Sequence, residues 1–92
     1  MLMRVWVDAD SCPANVRKIV IKAAVKRNIS TIFVADRRIP LPTSPCIDFR
    51  EVEPGVDRAD AEIIEHAQPG DLVITRDIPL AANLVKSGVS VI

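Results

Sequence analysis

Short continuous apolar runs alternate with stretches of helical periodicity almost to the end of this chain. Arg4–Asp8 reads as a first strand. Pro13–Arg27 reads as a helix, with Pro13 suited to its first turn and Asn28 to a left-handed stop. Val16, Ile19, Val20, Ala23 and Ala24 follow helical spacing and mark the face expected to be buried. Thr31–Ala35 is an unbroken apolar run of the kind a central parallel strand needs. Residues Asp36–Cys46 hold three prolines, so a loop without regular helix is expected there. Ile47–Val52 mixes Asp48, Arg50 and Glu51 with Ile47 and Phe49, a half-polar alternation that suits an edge strand. Asp57–Ala67 is the next helix, with Ile63, Ile64 and Ala67 turned inward and Pro69-Gly70 ending it. Leu72–Thr75 is a fourth strand, Pro79–Ser87 a third helix closed by Gly88, and Val89–Ile92 a fifth strand.

Alternating strands and helices predict one α/β domain spanning residues 1–92, three-layered, with a mainly parallel sheet and right-handed crossovers. Polar strand three belongs outside and apolar strands one, two and four inside. The order 3-2-1-4-5 satisfies both demands and places the topological switch between strands one and four. The chain stops inside an apolar strand without a terminator, so it reads as part of a longer, C-terminally extended domain.

That topology decides what the aspartates do. In a parallel sheet every strand ends, and every following helix begins, on one edge. Asp8 and Asp10 follow strand one, Asp77 follows strand four, and Asp57 and Asp60 open the helix after strand three. All five fall on the edge where open α/β sheets bind ligands. Asp48 and Asp71 start their strands and belong to the opposite edge. Converging carboxylates repel one another unless a cation is present, and Mg²⁺ or Mn²⁺ is the natural partner for oxygen ligands. Such a site can polarise a phosphodiester and activate water. Asp57 with Asp60 equally fits a helix N-cap followed by an acid in the first turn, and Asp77 can cap the third helix.

Charge adds direction. The net charge is zero, with twelve basic and twelve acidic residues, which argues against a generic polyanion binder. Residues 1–38, however, carry eight Lys/Arg against three Asp, and the remainder four against nine. Lys18, Lys22 and Lys26 form a stripe at four-residue spacing, either a solvated helix face or a phosphate-tracking surface. Arg37 and Arg38, just after strand two, lie nearer the acidic edge and are candidates for substrate phosphate. Trp6, Phe33 and Phe49 all fall in strands and read as core rather than as base-stacking platforms. Cys12 near a helix N-terminus has the position of a low-pKa thiol, but no partner base is visible and a packed thiol is expected. No metal-ligand or disulfide spacing connects Cys12 with Cys46, no apolar run is long enough for a bilayer, and a cytoplasmic setting is expected. Homo-oligomerisation is left open.

Three blocks carry a resemblance: Val7-Asp8-Ala9-Asp10-Ser11-Cys12-Pro13, Gly55-Val56-Asp57-Arg58-Ala59-Asp60, and the run Pro69-Gly70-Asp71-Leu72-Val73-Ile74-Thr75-Arg76-Asp77-Ile78-Pro79-Leu80-Ala81. In content and order they resemble the signature of the bacterial YaiI/YqxD family. The sheet and acidic cleft of that family look like those of PIN-like nuclease domains. The resemblance implies an Asp-based metal site at Asp8, Asp10, Asp57, Asp60 and Asp77. Asp36 departs from it, standing where members commonly have Asn and adding an acid at the end of strand two. The family also continues past this chain's last residue with an Arg- and Gly-rich segment.

The expected function is a divalent-metal-dependent phosphodiesterase acting on single-stranded RNA or another nucleic acid. Asp8, Asp60 and Asp77 would be its principal ligands, with Asp10 and Asp57 supporting them or activating water. The enzymatic alternative is a haloacid-dehalogenase-type phosphatase, with Asp8 as nucleophile and Asp10 as general acid. The non-enzymatic one is a binding or regulatory module on the same fold.

Overall fold

A computed structural model describes residues 3–55, 58–76, 78–86 and 88–92. Five strands, β1 (Val5–Asp8), β2 (Thr31–Ala35), β3 (Ile47–Glu51), β4 (Leu72–Ile74) and β5 (Ser90–Val91), alternate with three helices, α1 (Ala14–Arg27), α2 (Arg58–His66) and α3 (Ile78–Lys86). The strands form one sheet in the order β3-β2-β1-β4-β5, and every pairing is parallel. Polar β3 takes an edge and the apolar strands the interior, as their composition requires.

The pleat divides the core in two. Trp6, Ile32, Val34 and Val73 face α2 and α3, where they meet Ala59, Ile63, Leu80 and Leu84. Val5, Val7, Phe33 and Ala35 face α1, against Val16, Val20 and Ile21, with Ile39 and Leu41 of the helix-free loop beside them. Fully burying side chains such as Ile63 and Phe33 contributes about 1.5–3 kcal/mol each.

Local signals set the helix ends. Pro13, extended at ψ 154°, precedes α1. Asn28 closes it in the left-handed region (φ 55°), its N–H donating to the Ala24 carbonyl. Gly88, at φ 79°, ends α3 by donating to Val85 O at 3.1 Å while Val89 N–H reaches Leu84 O at 3.1 Å. That pair of bonds is a Schellman closure, and its positive φ favours glycine.

Two faces differ from expectation. On α1 the inward stripe is Val16, Val20, Ile21 and Ala24, whereas Ile19 is 67% exposed and Ala23 also faces solvent. On α2, Ala59 and Ile63 are buried while Ile64 is 46% exposed. Periodicity identifies an apolar stripe, but its width exceeds the strip of sheet that a single helix can cover. Ile19 and Ile64 lie at the margins of their stripes.

Candidate functional site

β1 and β2 end side by side, with Asp8 in register with Val34. Asp8 shares its face of the sheet with Trp6, the α2 side, and is only 3% exposed. β4 continues the same edge. Thr75, one residue past β4, donates its hydroxyl to Asp8 Oδ2 at 2.9 Å. Ser11 ties the arrangement together: its Oγ donates to the Asp8 carbonyl (3.2 Å), lies 3.4 Å from Thr75 Oγ1, and accepts the Arg76 N–H at 3.1 Å. A buried carboxylate is thus oriented by a hydroxyl from the neighbouring strand, which offsets part of its desolvation.

Asp10 stands just beyond the strand, where Asp10 Oδ2 accepts the backbone N–H of Asp36 at 3.0 Å. Partial burial pushes the Asp10 carboxyl above its usual range. The Asp36 N–H opposes that shift, while the charges of Asp36 and Asp8 reinforce it. The ends of β1 and β2 therefore bring the Asp8 and Asp36 carboxylates within electrostatic range of Asp10. Asp60 enters the same edge from the first turn of α2 and is half-buried. The proposed ligands Asp57 and Asp77 lie outside the described residues.

Cations ring this edge. Arg17 donates to the Cys12 carbonyl at 3.4 Å, and both Arg17 and Arg76 act electrostatically on the Cys12 thiol. Burial, followed by the Asp8 charge, raises that thiol above its ordinary range against the two arginines. Cys12 is accordingly a packed core group, 6% exposed, and not an activated nucleophile. Arg37 is exposed, its Nε 3.9 Å from Asp36 Oδ1. Arg38 lines a shallow depression of about 410 Å³ with Ile39, Pro40, Leu41 and Phe49. Lys18, Lys22 and Lys26 are exposed on α1. Because α1 runs away from the acidic edge at about 1.5 Å per residue, Lys26 lies roughly 12 Å farther along it than Lys18.

The opposite edge behaves differently. Asp71 accepts hydrogen bonds from the N–H groups of Arg4 (3.3 Å) and Gln68 (2.9 Å), from Trp6 Nε1 (3.1 Å) and from the Arg4 guanidinium (3.2 Å). These donors and the Arg4 charge outweigh its desolvation and hold its carboxyl below the usual range. Asp71 is surrounded by donors, whereas Asp10 at the other edge faces the charges of Asp36 and Asp8.

Among the described residues, the acids at the β1–β2 edge do not form a trio with ligand atoms within 4.8 Å of one another. Glu62, Glu65 and His66 on α2 do. That helical spacing was readable in the sequence. However, Glu62 Oε2 already accepts from Arg50 NH1 at 2.8 Å and lies 3.2 Å from His66 Nε2, so a cation there would have to displace a guanidinium. His66 also stacks on Trp6, with ring centroids 6.3 Å apart. Asp36, Ser11, Thr75 and Arg76 are the residues that the sequence reading left out of the site. All four follow strand ends at the edge it had identified. Among the described residues, no helix is long and apolar enough to cross a membrane.

A family profile described as "Uncharacterized BCR, YaiI/YqxD family" matches residues 6–92. Similar chains, each called "UPF0178 protein", come from three bacteria. That of Syntrophobacter fumaroxidans is 47% identical over 90 residues, covering 98% of this chain and 59% of its own. That of Marinobacter nauticus is 49% identical over 89 residues, covering 97% and 59%. That of Myxococcus xanthus is 47% identical over 90 residues, covering 98% and 59%. The chain thus spans about three-fifths of the length of these relatives. No solved structure matches it significantly. With its sheet, its strand-end acids and this match over nearly its whole length, the chain belongs to the YaiI/YqxD family.

Proposed function

We propose that the acidic edge is the catalytic centre of a PIN-like, divalent-metal-dependent phosphodiesterase acting on single-stranded RNA or a related nucleic acid. The observation that carries this reading is the gathering of Asp8, Asp10 and Asp36 at adjoining strand ends, with Asp8 buried and Asp10 pushed upward first by partial burial and then by the charges of Asp36 and Asp8. Like charges held together at one sheet edge cost stability, and a cation relieves that cost. The donors fit Mg²⁺ or Mn²⁺, since all are hard carboxylate oxygens.

Asp8, Asp60 and Asp77 would hold the ion, with Asp57 completing the set. The ion's contribution, when bound, is to polarise the phosphodiester and make water more acidic. Asp10 would accept the proton of the attacking water at a carboxylate oxygen, a role that its raised pKa supports. Thr75 fixes the Asp8 carboxylate, which would offer an ion a pre-oriented oxygen. Arg37 and Arg38 would take the substrate's backbone phosphates, and Lys18, Lys22 and Lys26 a longer track leading away from the centre.

The test is Mn²⁺-dependent cleavage of single-stranded RNA by the wild-type protein and by Asp8→Asn. Cleavage that needs Mn²⁺ and disappears in the variant supports the reading. RNA binding without turnover at any Mn²⁺ concentration would replace it with a binding module.

A further inference from the structure

A parallel sheet is ordinarily covered on both faces, because its strands are apolar on both. Here one face is complete: α2 and α3 cover Trp6, Val34 and Val73, and even Val91 of the edge strand packs against them. Among the described residues the other face carries one helix, α1, which leans toward the β3 side together with Ile39 and Leu41. Leu72 and Ile74 of β4 also point to this face but are only half-buried. Register puts Ser90 and Ile92 beside them, and Ile92 is 74% exposed. Ile19 and Met3, at 67% and 46% exposure, border the same opening. Between them runs a groove of about 200 Å³, lined by Met3, Val5, Ile19, Val20, Leu72 and Ile74 among others, with almost no polar surface. An apolar cavity of about 150 Å³ already accepts a benzene ring, so this groove takes one or two large side chains.

We propose that this groove is the seat of an amphipathic helix supplied by the part of the family's longer chains that lies outside the match. Three observations favour that occupant. The match accounts for 59% of the Syntrophobacter relative over 90 residues, which leaves about 60 further residues, ample for a helix and its connections. Helices pack side by side at 8–10 Å and strands lie 4.7–4.9 Å apart, so a neighbour of α1 falls two strands away, over β1 and β4, where the groove lies. Ile19, on the flank of α1 rather than under it, is placed to meet such a neighbour and not the sheet. That explains why an apolar residue in helical phase with the core faces water here.

The experiment supplies the remaining segment of the Syntrophobacter relative as a synthetic peptide to this 92-residue protein. Binding is followed by fluorescence anisotropy and sedimentation. The expected result is a one-to-one complex with a raised melting temperature. Ile19→Glu should weaken binding at least tenfold, and Val85→Glu, a control on the exposed side of α3 (61%), should leave it unchanged. Ile19→Ala and Met3→Ala provide milder versions should Ile19→Glu not fold. In the intact relative, amides of the strand matching Leu72–Ile74 should exchange more slowly than in this chain. No binding, binding indifferent to Ile19, or equal exchange in the two proteins would overturn the proposal. So would a dimer of this chain that Ile19→Glu dissociates, since the groove would then seat a second copy.

Discussion

Asp71 offers the sharpest test of how this sheet assigns roles to its carboxylates. It lies one residue before β4, is 4% exposed, and accepts four hydrogen bonds, from the Trp6 indole, the Gln68 and Arg4 N–H groups and the Arg4 guanidinium. Asp71→Asn keeps the shape but replaces one acceptor oxygen with an NH₂ that faces other donors. A hydrogen bond to a charged group is worth about 1.5–3 kcal/mol, and each buried donor left unpaired costs about 1–3 kcal/mol. The Arg4 pair adds little, because its guanidinium is 37% exposed and screened by water. The variant should therefore lose about 2–3 kcal/mol, and Asp71→Ala, which strands the fully buried Trp6 N–H, about 3–5 kcal/mol. In a domain of this size 1 kcal/mol moves the melting temperature by about 4–8 °C, so Asp71→Asn should melt about 10–20 °C lower.

The pH dependence fixes the sign. The Asp71 carboxyl is held below its ordinary value of 3.8, so its stabilisation is complete above that value and disappears as pH falls through the lower folded-state pKa. Urea titrations of wild type and Asp71→Asn should therefore diverge at pH 7 and converge as pH falls progressively below 3.8. A gap that stays constant over that range, or an Asn variant as stable as wild type, would refute the account of Asp71 as a donor-saturated anchor.

Three further outcomes follow from the acidic edge. Asp8→Asn should raise the metal-free stability by up to about 1 kcal/mol, because Asp10 and Asp36 are partly solvated and repulsion is screened; calorimetry should show that it also abolishes stabilisation by Mn²⁺. Thr75→Val should weaken Mn²⁺ binding about tenfold and cost about 1.5–3 kcal/mol in urea unfolding, with Thr75→Ser restoring both, because the hydroxyl that Ser keeps donates to Asp8 Oδ2. Replacing Lys18, Lys22 and Lys26 with Ala should reduce the salt dependence of RNA binding by up to about 2 in log–log slope, about 0.7 per lost phosphate contact, without changing the chemical step.

What the sequence disclosed about this protein depended on which physical rule was in force. Strand order was legible because one strand carries Asp48, Arg50 and Glu51 along its run while β2 and β4 carry no charge and β1 only its terminal Asp8, and a parallel sheet keeps charged runs at its margin. The acidic edge was legible for the same kind of reason: strand ends share an edge whatever their residues. Yet the same rule brings Asp36, Ser11, Thr75 and Arg76 to that edge, and the spacing of carboxylates in motifs does not single them out. The hydroxyls escaped because nothing in a one-dimensional pattern distinguishes a threonine that orients a neighbouring strand's aspartate from one that merely ends a strand. Register supplies that distinction, since Val7 pairs with Ile74 and the next residues, Asp8 and Thr75, become neighbours on one face. Ile19 escaped for the complementary reason. Its phase on α1 is that of a core residue, but whether it is covered depends on a second helix over β4, and the amphipathic pattern of α1 contains no information about its neighbours. Periodicity therefore reports what a surface requires, and topology decides whether the residues within this chain meet the requirement; at Ile19, Leu72 and Ile74 they do not.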